Sequence, residues 1–266
     1  MDVLITGAAS GIGWAAAGRF LDRGHRVWAI DRVPVPERQG LTGFIADITE
    51  EASLAQVSQS LQQAGVELDV ILNIAGIHRM VSLVEAGCQE MKRVIDVNLT
   101  GAILVDRLFH SCLAPGGRIV IVTSEVASLD PMPFNGLYSV TKTALDGYAQ
   151  ALRQELNLIG QKVVTVRPGA VDTPLCKASV TDTGALARST VLYRKQAKSF
   201  SGLAAKFMGR PIPPEKLASL IYKAATDRHP RTVYQKHRNP GLVLLSLLPR
   251  SSQCALIRWL LELGWF

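Results

Sequence analysis

Short apolar runs alternate along the chain with longer segments whose apolar residues recur at helical spacing. The apolar runs cover residues 3–6, 27–30, 70–72, 118–123, 163–166 and 232–234. Because these runs largely lack alternating polar positions, they predict strands that are buried on both faces. Buried strands of this kind belong to a parallel sheet that helices cover on both sides through right-handed crossovers.

The longer segments predict helices that alternate with the strands. They lie between residues 13 and 23, 49 and 65, 99 and 113, 137 and 159, and 213 and 225. Thr49 is the predicted N-cap of the second helix, and Leu54, Val57 and Leu61 share one of its faces. The regular alternation of strand and helix indicates an α/β protein with a doubly wound sheet.

Length and composition agree with one folded unit. The chain has 266 residues, of which 48% are hydrophobic, so we expect a single domain over residues 1–266. The four cysteines follow no C-x-x-C or Cys/His spacing, and neither a disulfide framework nor a metal site is predicted. The first residues enter a strand directly instead of forming a secretion signal, which favours a cytoplasmic location.

The charge is positive, with a formal net value of +7 at pH 7. A positive protein attracts nucleic acid, anionic lipid and acidic carrier proteins alike, so the sign by itself selects none of them. The basic residues are not interleaved with a ladder of aromatic residues, and the chain has no recognisable reading helix. We therefore expect no nucleic acid partner.

Tyr138 and Lys142 are four residues apart in a predicted helix and lie on one face of it. An ammonium beside a phenol favours the phenolate, so the pair can exchange a proton closer to neutral pH than an isolated tyrosine, whose pKa is about 10. Such a pair can act as a general acid or base. Ser124 follows the strand 118–123, at the carboxyl end where open α/β sheets hold their sites.

A glycine-rich turn joins the first strand to the first helix. Gly7, Gly11 and Gly13 let the backbone approach a pyrophosphate closely, and the N–H groups of the helix N-terminus can bind it. Asp31 ends the second strand 18 residues beyond Gly13, where a carboxylate can bind the ribose hydroxyls of an adenosine. Together these features predict a dinucleotide site.

The chain carries the motifs Thr6-Gly7-x-x-x-Gly11-Ile12-Gly13, Ser124, Tyr138-x-x-x-Lys142 and Arg167-Pro168-Gly169. In this order and spacing they resemble the short-chain dehydrogenase/reductase family, and the similarity runs from residue 3 to about residue 173. The resemblance implies a doubly wound Rossmann fold with a mostly parallel, seven-stranded sheet. It also implies that Tyr138 exchanges the substrate proton, Lys142 binds the nicotinamide ribose, Ser124 hydrogen-bonds the substrate oxygen and Asn98 holds a water for proton relay.

The resemblance further implies a set of residues that bind the cofactor. They are Gly7, Ser10, Gly11, Ile12, Gly13, Asp31, Arg32, Asp47, Ile48, Asn73, Ala75, Gly76, Tyr138, Lys142, Pro168, Gly169, Val171 and Thr173. The chain departs from the family pattern at two points. Ile74 replaces a second asparagine after Asn73, and Ser124 lies 14 residues before Tyr138, one more than is usual in the family. The breaker-rich loop 130–135 can hold the extra residue.

The last third of the chain has a different character. Residues 175–210, which form the substrate lid in this family, mix basic and apolar residues and suit a hydrophobic substrate, an anionic one or a membrane surface. Alternatively, these basic residues form the solvent-exposed face of a helix and bind no ligand. Residues 240–266 form a hydrophobic tail with Trp259, Trp265 and Phe266, too short to reach the roughly 20 apolar residues that span a bilayer. We expect the tail to pack on the lid or a second subunit, or to touch lipid peripherally.

The resemblance implies an oxidoreductase that transfers a hydride between a nicotinamide cofactor and a secondary alcohol or ketone. The lid favours a hydrophobic substrate of steroid, retinoid or acyl type, and a homodimer or homotetramer is expected. Asp31 favours NAD over NADP, because a 2′-phosphate would face a like charge, although Arg32 could pair with that phosphate. Two alternatives stay open: a 3-oxoacyl-carrier-protein reductase that uses NADPH, and a dinucleotide-sensing interaction protein without catalysis.

Overall fold

A computed structural model of the protein describes residues 1–207 and 210–263. The described residues form a parallel seven-stranded sheet in the order β3-β2-β1-β4-β5-β6-β7. The strands are β1 (Asp2–Thr6), β2 (Arg26–Asp31), β3 (Leu41–Ile45), β4 (Leu68–Asn73), β5 (Leu113–Val122), β6 (Lys162–Pro168) and β7 (Val233–Lys236). The predicted doubly wound α/β fold is confirmed, because the chain starts in the middle of the sheet and winds outward in both directions.

The helices fill the connections between the strands. They are α1 (Gly11–Leu21), α2 (Glu51–Gln63), α3 (Cys88–Ile95), α4 (Gly101–Phe109), α5 (Gly136–Asn157), α6 (Pro174–Ser189), α7 (Arg194–Phe207), α8 (Pro214–Thr226), α9 (Pro240–Ser246) and α10 (Arg250–Leu263). A π-helical turn, Asp96–Thr100, joins α3 to α4, and short 3₁₀ turns follow α4 and β5.

Two apolar cores cover the faces of the sheet. On one face, Phe20 of α1 and Ile221 of α8 are fully buried against the strands. On the other face, Leu54 of α2, Phe109 of α4 and Leu145 of α5 are buried in the same way. The strand order reverses between β1 and β4, and in open α/β sheets the crevice at this point, beyond the carboxyl ends of the strands, is where ligands bind.

Two element boundaries differ from the sequence predictions. The helix predicted over 99–113 is part of a longer helical segment that begins at Cys88 and is widened by the π-helical turn. Thr49 does not cap α2, whose N-cap is Glu50; instead the Thr49 amide and hydroxyl both donate to the carboxylate of Asp47. A local hydrogen bond to the preceding aspartate therefore outcompetes capping.

The lid helices, α6 and α7, and the tail helices, α9 and α10, pack together over the carboxyl edge of the sheet. Phe200 and Leu203 of α7 are buried with Leu261 of α10 and with Phe134 from the loop before α5. Phe134 has a φ of 63°, in the left-handed region, and packs edge-on against Phe200. The loop 130–135, which can hold the extra residue of the Ser124–Tyr138 segment, thus supports the lid.

The described part of the tail is held by the same loop. The Asp130 carboxylate accepts hydrogen bonds from Gln253 at 2.9 Å and Arg250 at 3.3 Å. The outer face of the tail leaves Leu247 and Trp259 exposed. Trp265 and Phe266 of the predicted tail, and residues 208 and 209 of the predicted lid, lie outside the described residues. Among the described helices, none has both the length and the apolar character that crossing a bilayer requires.

Candidate active site

The glycine turn forms a backbone cradle at the N-terminus of α1. Gly7 and Gly11 have φ values of 70° and 55°, which glycine adopts at little cost. A Cβ on Gly13 would lie 2.0 Å from the carbonyl oxygen of Gly7, and one on Gly7 would lie 2.8 Å from Cα of Ala75. Close backbone approach is therefore built into this turn, as a site for a pyrophosphate at a helix N-terminus requires.

Asp31 lies at the carboxyl end of β2, at one end of this cradle. Its carboxylate accepts hydrogen bonds from the backbone N–H of Ala9 at 2.9 Å and of Val33 at 3.3 Å. These contacts orient the carboxylate toward the glycine turn while each oxygen keeps lone pairs for a further donor. Arg32 follows it and is exposed.

A cavity of about 370 Å³ extends from this turn along the strand ends. It is lined by Gly7, Ser10, Gly11, Ile12, Gly13, Asp31, Arg32, Asp47, Ile48, Ala75, Gly76 and Thr173, all of them predicted cofactor residues. Arg93, which the sequence analysis did not identify, also lines it and donates to Asp47 at 2.8 Å. Burial acts to raise the pKa of Asp47, but the hydrogen bonds from Arg93 and Thr49 outweigh it and lower that pKa.

Asn73 is the predicted cofactor residue whose side chain points away from this cavity. Its amide nitrogen donates to Asp106 at 2.6 Å, and the Tyr148 hydroxyl donates to the other oxygen of the same carboxylate at 3.0 Å. Burial raises the pKa of Asp106 to about 7. The backbone after Asn73 is held by the Thr6 hydroxyl, which accepts from the N–H of Ile74 at 3.1 Å and of Ala75 at 3.3 Å.

Ser124, Tyr138 and Lys142 meet where β5 ends against the first turns of α5. Ser124 is buried, and despite the longer spacing between the two residues its hydroxyl is near enough to Tyr138 to act to lower the tyrosine pKa. Lys142 is buried one turn further on, where its Nζ donates to the carbonyl oxygen of Val122 at 3.3 Å and lies 5.8 Å from the centre of the Tyr138 ring. The structure therefore brings the three predicted residues together.

Burial is the main cause of the pKa shifts of Tyr138 and Lys142. It raises the pKa of Tyr138 to about 12, with the hydrogen bond from Ser124 acting in the opposite direction. It also lowers the pKa of Lys142 to about 8. The expectation that the lysine lowers the tyrosine pKa is therefore wrong: burial disfavours the charged form of both residues, and the groups that shift the pKa of Tyr138 do not include Lys142.

Asn98 lies in the π-helical turn between α3 and α4. Its Oδ1 accepts from the N–H of Ile77 at 2.8 Å, and its Nδ2 donates to the Ile77 carbonyl at 2.9 Å and the Thr141 hydroxyl at 3.1 Å. The side chain therefore ties the segment after β4 to the helix that carries Tyr138 and Lys142. π-helical turns recur at functional sites, and here the turn aims an amide into a buried position.

A second cavity, which we call the substrate cavity, adjoins the first and measures about 640 Å³. Ser124, Tyr138 and Lys142 line it together with the predicted loop residues Pro168, Gly169, Val171 and Thr173. Its far wall is apolar and comes from the lid and tail helices: Phe200, Leu203, Leu242, Leu245, Leu248, Ile257 and Leu260. Ile12, Gly76 and Thr173 line both cavities, so the two meet beside the acid-base group.

His78 and Glu125 are titratable residues of the substrate cavity that were not predicted from the sequence. The His78 ring lies 4.5 Å from the Tyr138 ring, centre to centre, and its Nε2 hydrogen-bonds Asn135 Oδ1 at 2.9 Å. Burial lowers the pKa of His78. Glu125 directly follows Ser124 and is also buried. Both residues lie just beyond the carboxyl ends of β4 and β5, where ligands bind in open α/β sheets. This position is the sequence feature that could have identified them as site residues.

Comparison with known proteins adds independent information. A family model described as short chain dehydrogenase matches residues 2–184. The chain is 32% identical over 180 residues to an NADPH-dependent 1-acyldihydroxyacetone phosphate reductase of Schizosaccharomyces pombe, a match that covers 65% of this chain and 60% of that protein. It is 27% identical over 233 residues to a 3-ketodihydrosphingosine reductase of Bacteroides thetaiotaomicron, which covers 86% of this chain and 84% of the relative.

Solved structures share the fold. A 3-ketoacyl-(acyl-carrier-protein) reductase from Brucella melitensis, solved in complex with NADH, superposes with a TM-score of 0.70 at 24% identity. The superposition covers 88% of this chain and 95% of that one. At this level of identity, the similarity shows a shared fold. The evidence for a dinucleotide site in this chain is its own glycine cradle and Asp31.

Proposed function

The chain belongs to the short-chain dehydrogenase/reductase family of oxidoreductases, and we propose that it interconverts an apolar secondary alcohol and its ketone with NAD. The observation that carries this proposal is the junction of the two cavities. A polar cleft suited to a dinucleotide and a large apolar cavity meet beside Ser124, Tyr138 and Lys142.

In the proposed reaction the bound nicotinamide supplies or accepts the hydride, and the protein handles the proton. During ketone reduction, Tyr138 donates the proton of its hydroxyl to the substrate oxygen, which Ser124 holds by a hydrogen bond. A high tyrosine pKa keeps that proton in place until negative charge develops on the substrate oxygen. Lys142 would bind the nicotinamide ribose, and Asn98 would hold the relay water.

The walls of the substrate cavity support an apolar substrate. Cavities of several hundred Å³ that are lined mostly by apolar side chains bury most of the surface of a drug-sized ligand. The yeast and Bacteroides relatives are both named for lipid substrates, which agrees with this choice. We propose a ketone with a long hydrocarbon substituent that extends between the lid and tail helices.

Kinetics with a homologous series of secondary alcohols test this function. We expect kcat/KM to rise about tenfold for every two methylene groups until the cavity is filled, since each buried methylene contributes about 0.8 kcal/mol. The measurement is the absorbance of the reduced cofactor. A rate that is independent of chain length would contradict the apolar substrate, and turnover that requires attachment to an acyl carrier would favour the 3-oxoacyl reductase. Cofactor binding without turnover of any alcohol or ketone would favour the sensor.

Deletion of residues 251–266 tests the role of the tail. This change removes α10, whose Ile257 and Leu260 line the substrate cavity and whose Trp259 is exposed. We propose that the outer face of the tail contacts a second subunit of a homodimer or homotetramer, or a lipid surface. The truncated protein should therefore lose chain-length selectivity and either sediment as a smaller species or no longer bind liposomes.

Gln253→Ala is the matched control, because it removes a tail side chain that binds Asp130 and does not line the substrate cavity. It should keep the selectivity and the sedimentation of the parent. A truncated protein with unchanged sedimentation, liposome binding and melting temperature would rule out both versions of the tail's role.

A further inference from the structure

Glu125 is a buried carboxylate in the wall of the substrate cavity, one residue after Ser124. Its Oε2 accepts a hydrogen bond from the backbone N–H of Asn239, the N-cap of α9, at 2.6 Å. Its Oε1 borders Gly169, where an added Cβ would lie 3.2 Å from Oε1 and 1.8 Å from the carbonyl oxygen of His237, so a side chain does not fit beside this carboxylate. Burial raises the pKa of Glu125.

Arg238 and His237 lie outside the cavity lining and act to lower the pKa of Glu125, but burial outweighs them. Among the described residues that line the substrate cavity, the charged side chains are those of Glu125 and Lys142. The Lys142 ammonium donates to the Val122 carbonyl and lies against Gly76, where the two cavities meet. A buried carboxylate costs free energy unless donors or a cation satisfy it, and the main-chain bond from Asn239 supplies one such donor.

We infer that Glu125 is a specificity-determining residue that binds a protonated amine on the carbon next to the reacting carbon of the substrate. This inference rests on the proposed function, because it assigns a second recognition element to the same cavity. An ammonium enters an apolar cavity only if a carboxylate pairs with it there. The same carboxylate disfavours a phosphate or carboxylate at that place on the substrate.

The position of Glu125 in the chain explains why the amine is adjacent to the reacting carbon. In the proposed reaction Ser124 and Tyr138 hold the substrate oxygen, and Glu125 directly follows Ser124 in the chain and lines the same cavity. A group bound by Glu125 is therefore near the carbon that bears this oxygen. During reduction of the ketone, the carbonyl carbon would receive the hydride that a bound nicotinamide supplies and the carbonyl oxygen would take the hydroxyl proton of Tyr138, while the ammonium keeps all of its bonds.

Glu125→Gln separates recognition from structure, because a glutamine carbonyl can still accept the hydrogen bond from Asn239 while the charge is lost. The probes are a long-chain vicinal amino alcohol and two matched alcohols, one with a hydroxyl in place of the amine and one with hydrogen. We expect the parent to prefer the amino alcohol by about 10- to 100-fold in kcat/KM, as hydrogen bonds to charged groups allow. In the variant, the ratio of kcat/KM for the amino alcohol to kcat/KM for the amine-free alcohol should fall to about one, mainly through KM. Because both substrates are compared in the same variant, any effect of the lost charge on Tyr138 cancels from this ratio.

Asp130→Asn is the matched control, since Asp130 is a carboxylate that also holds the tail and does not line the substrate cavity. It should keep the amine preference. If Glu125→Gln lowers kcat/KM equally for all three alcohols, Glu125 only fastens the tail. If the parent prefers the hydroxyl analogue as strongly as the amino alcohol, Glu125 does not recognise an amine. Parent turnover of the amine-free alcohol with no gain from the amine would overturn the inference and leave the proposed function intact. If no long-chain alcohol is turned over, both proposals are wrong.

Discussion

Replacing Tyr138 with phenylalanine is expected to lower kcat by about 10²- to 10⁴-fold, the usual contribution of a general acid or base. The change removes one hydroxyl and keeps the ring, which packs against His78. The Ser124 hydroxyl remains but cannot replace the proton donor, because an aliphatic hydroxyl is a weaker acid than a phenol. The dissociation constant of the cofactor should change by less than about threefold, since binding rests mainly on the glycine cradle and Asp31.

Tyr193→Phe provides the comparison for this variant. Tyr193 lies just before α7 with its ring against Phe134, and it does not line the substrate cavity. Loss of its hydroxyl should leave kcat unchanged. If Tyr138→Phe keeps a tenth or more of the parent activity, the proton donor is another group and the proposed mechanism is wrong.

The unmodified protein is expected to use NAD better than NADP by roughly a hundredfold or more in kcat/KM. A 2′-phosphate carries about two negative charges at neutral pH, and a like-charge juxtaposition typically costs several kcal/mol. The backbone N–H groups of Ala9 and Val33 fasten the Asp31 carboxylate toward the glycine turn, which makes it costly for the side chain to turn away. The structure thereby adds a reason for the NAD preference that the sequence did not contain.

Asp31→Ser should shrink this ratio mainly by improving the use of NADP, because Arg32 is then free to pair with the phosphate. The double variant Asp31→Ser with Arg32→Ala should lose that improvement, which identifies the arginine as its source. Steady-state kinetics with both cofactors provide the measurement, and melting temperatures show whether the variants fold. Equal or better use of NADP by the unmodified protein would mean that Arg32 governs this end of the site.

The fold was predictable because its signals are local. Apolar runs such as 3–6 and 70–72 lack alternating polar positions, and only a sheet covered on both faces buries them. The glycine turn and Asp31 were predictable for the same reason, since a strand, a turn and a helix that follow one another in sequence are neighbours in space. That Tyr138 and Lys142 lie on one face of a helix was predictable from their spacing of four residues alone.

What the sequence left open depends on residues that are far apart along the chain. The amide of Asn73 turned out to bind Asp106, a contact between β4 and α4 that no local pattern indicates. The acid-base properties also differed from expectation, because burial, which shifts the pKa values of Tyr138 and Lys142, is set by everything packed around them.

The sequence by itself predicted most of the sheet, the glycine cradle and the candidate acid-base residues, because each is encoded in a few consecutive positions. The strand β3 was not predicted, because its residues are largely exposed and form no continuous apolar run. Only the tertiary structure decided the shape and chemistry of the substrate cavity. Its apolar wall comes from α7, α9 and α10, which folding brings to Ser124 from more than 70 residues away in sequence. Its buried carboxylate, Glu125, faces the start of α9 for the same reason. Side-chain packing between distant segments has no local periodicity, and this is why it cannot be read from the order of the residues.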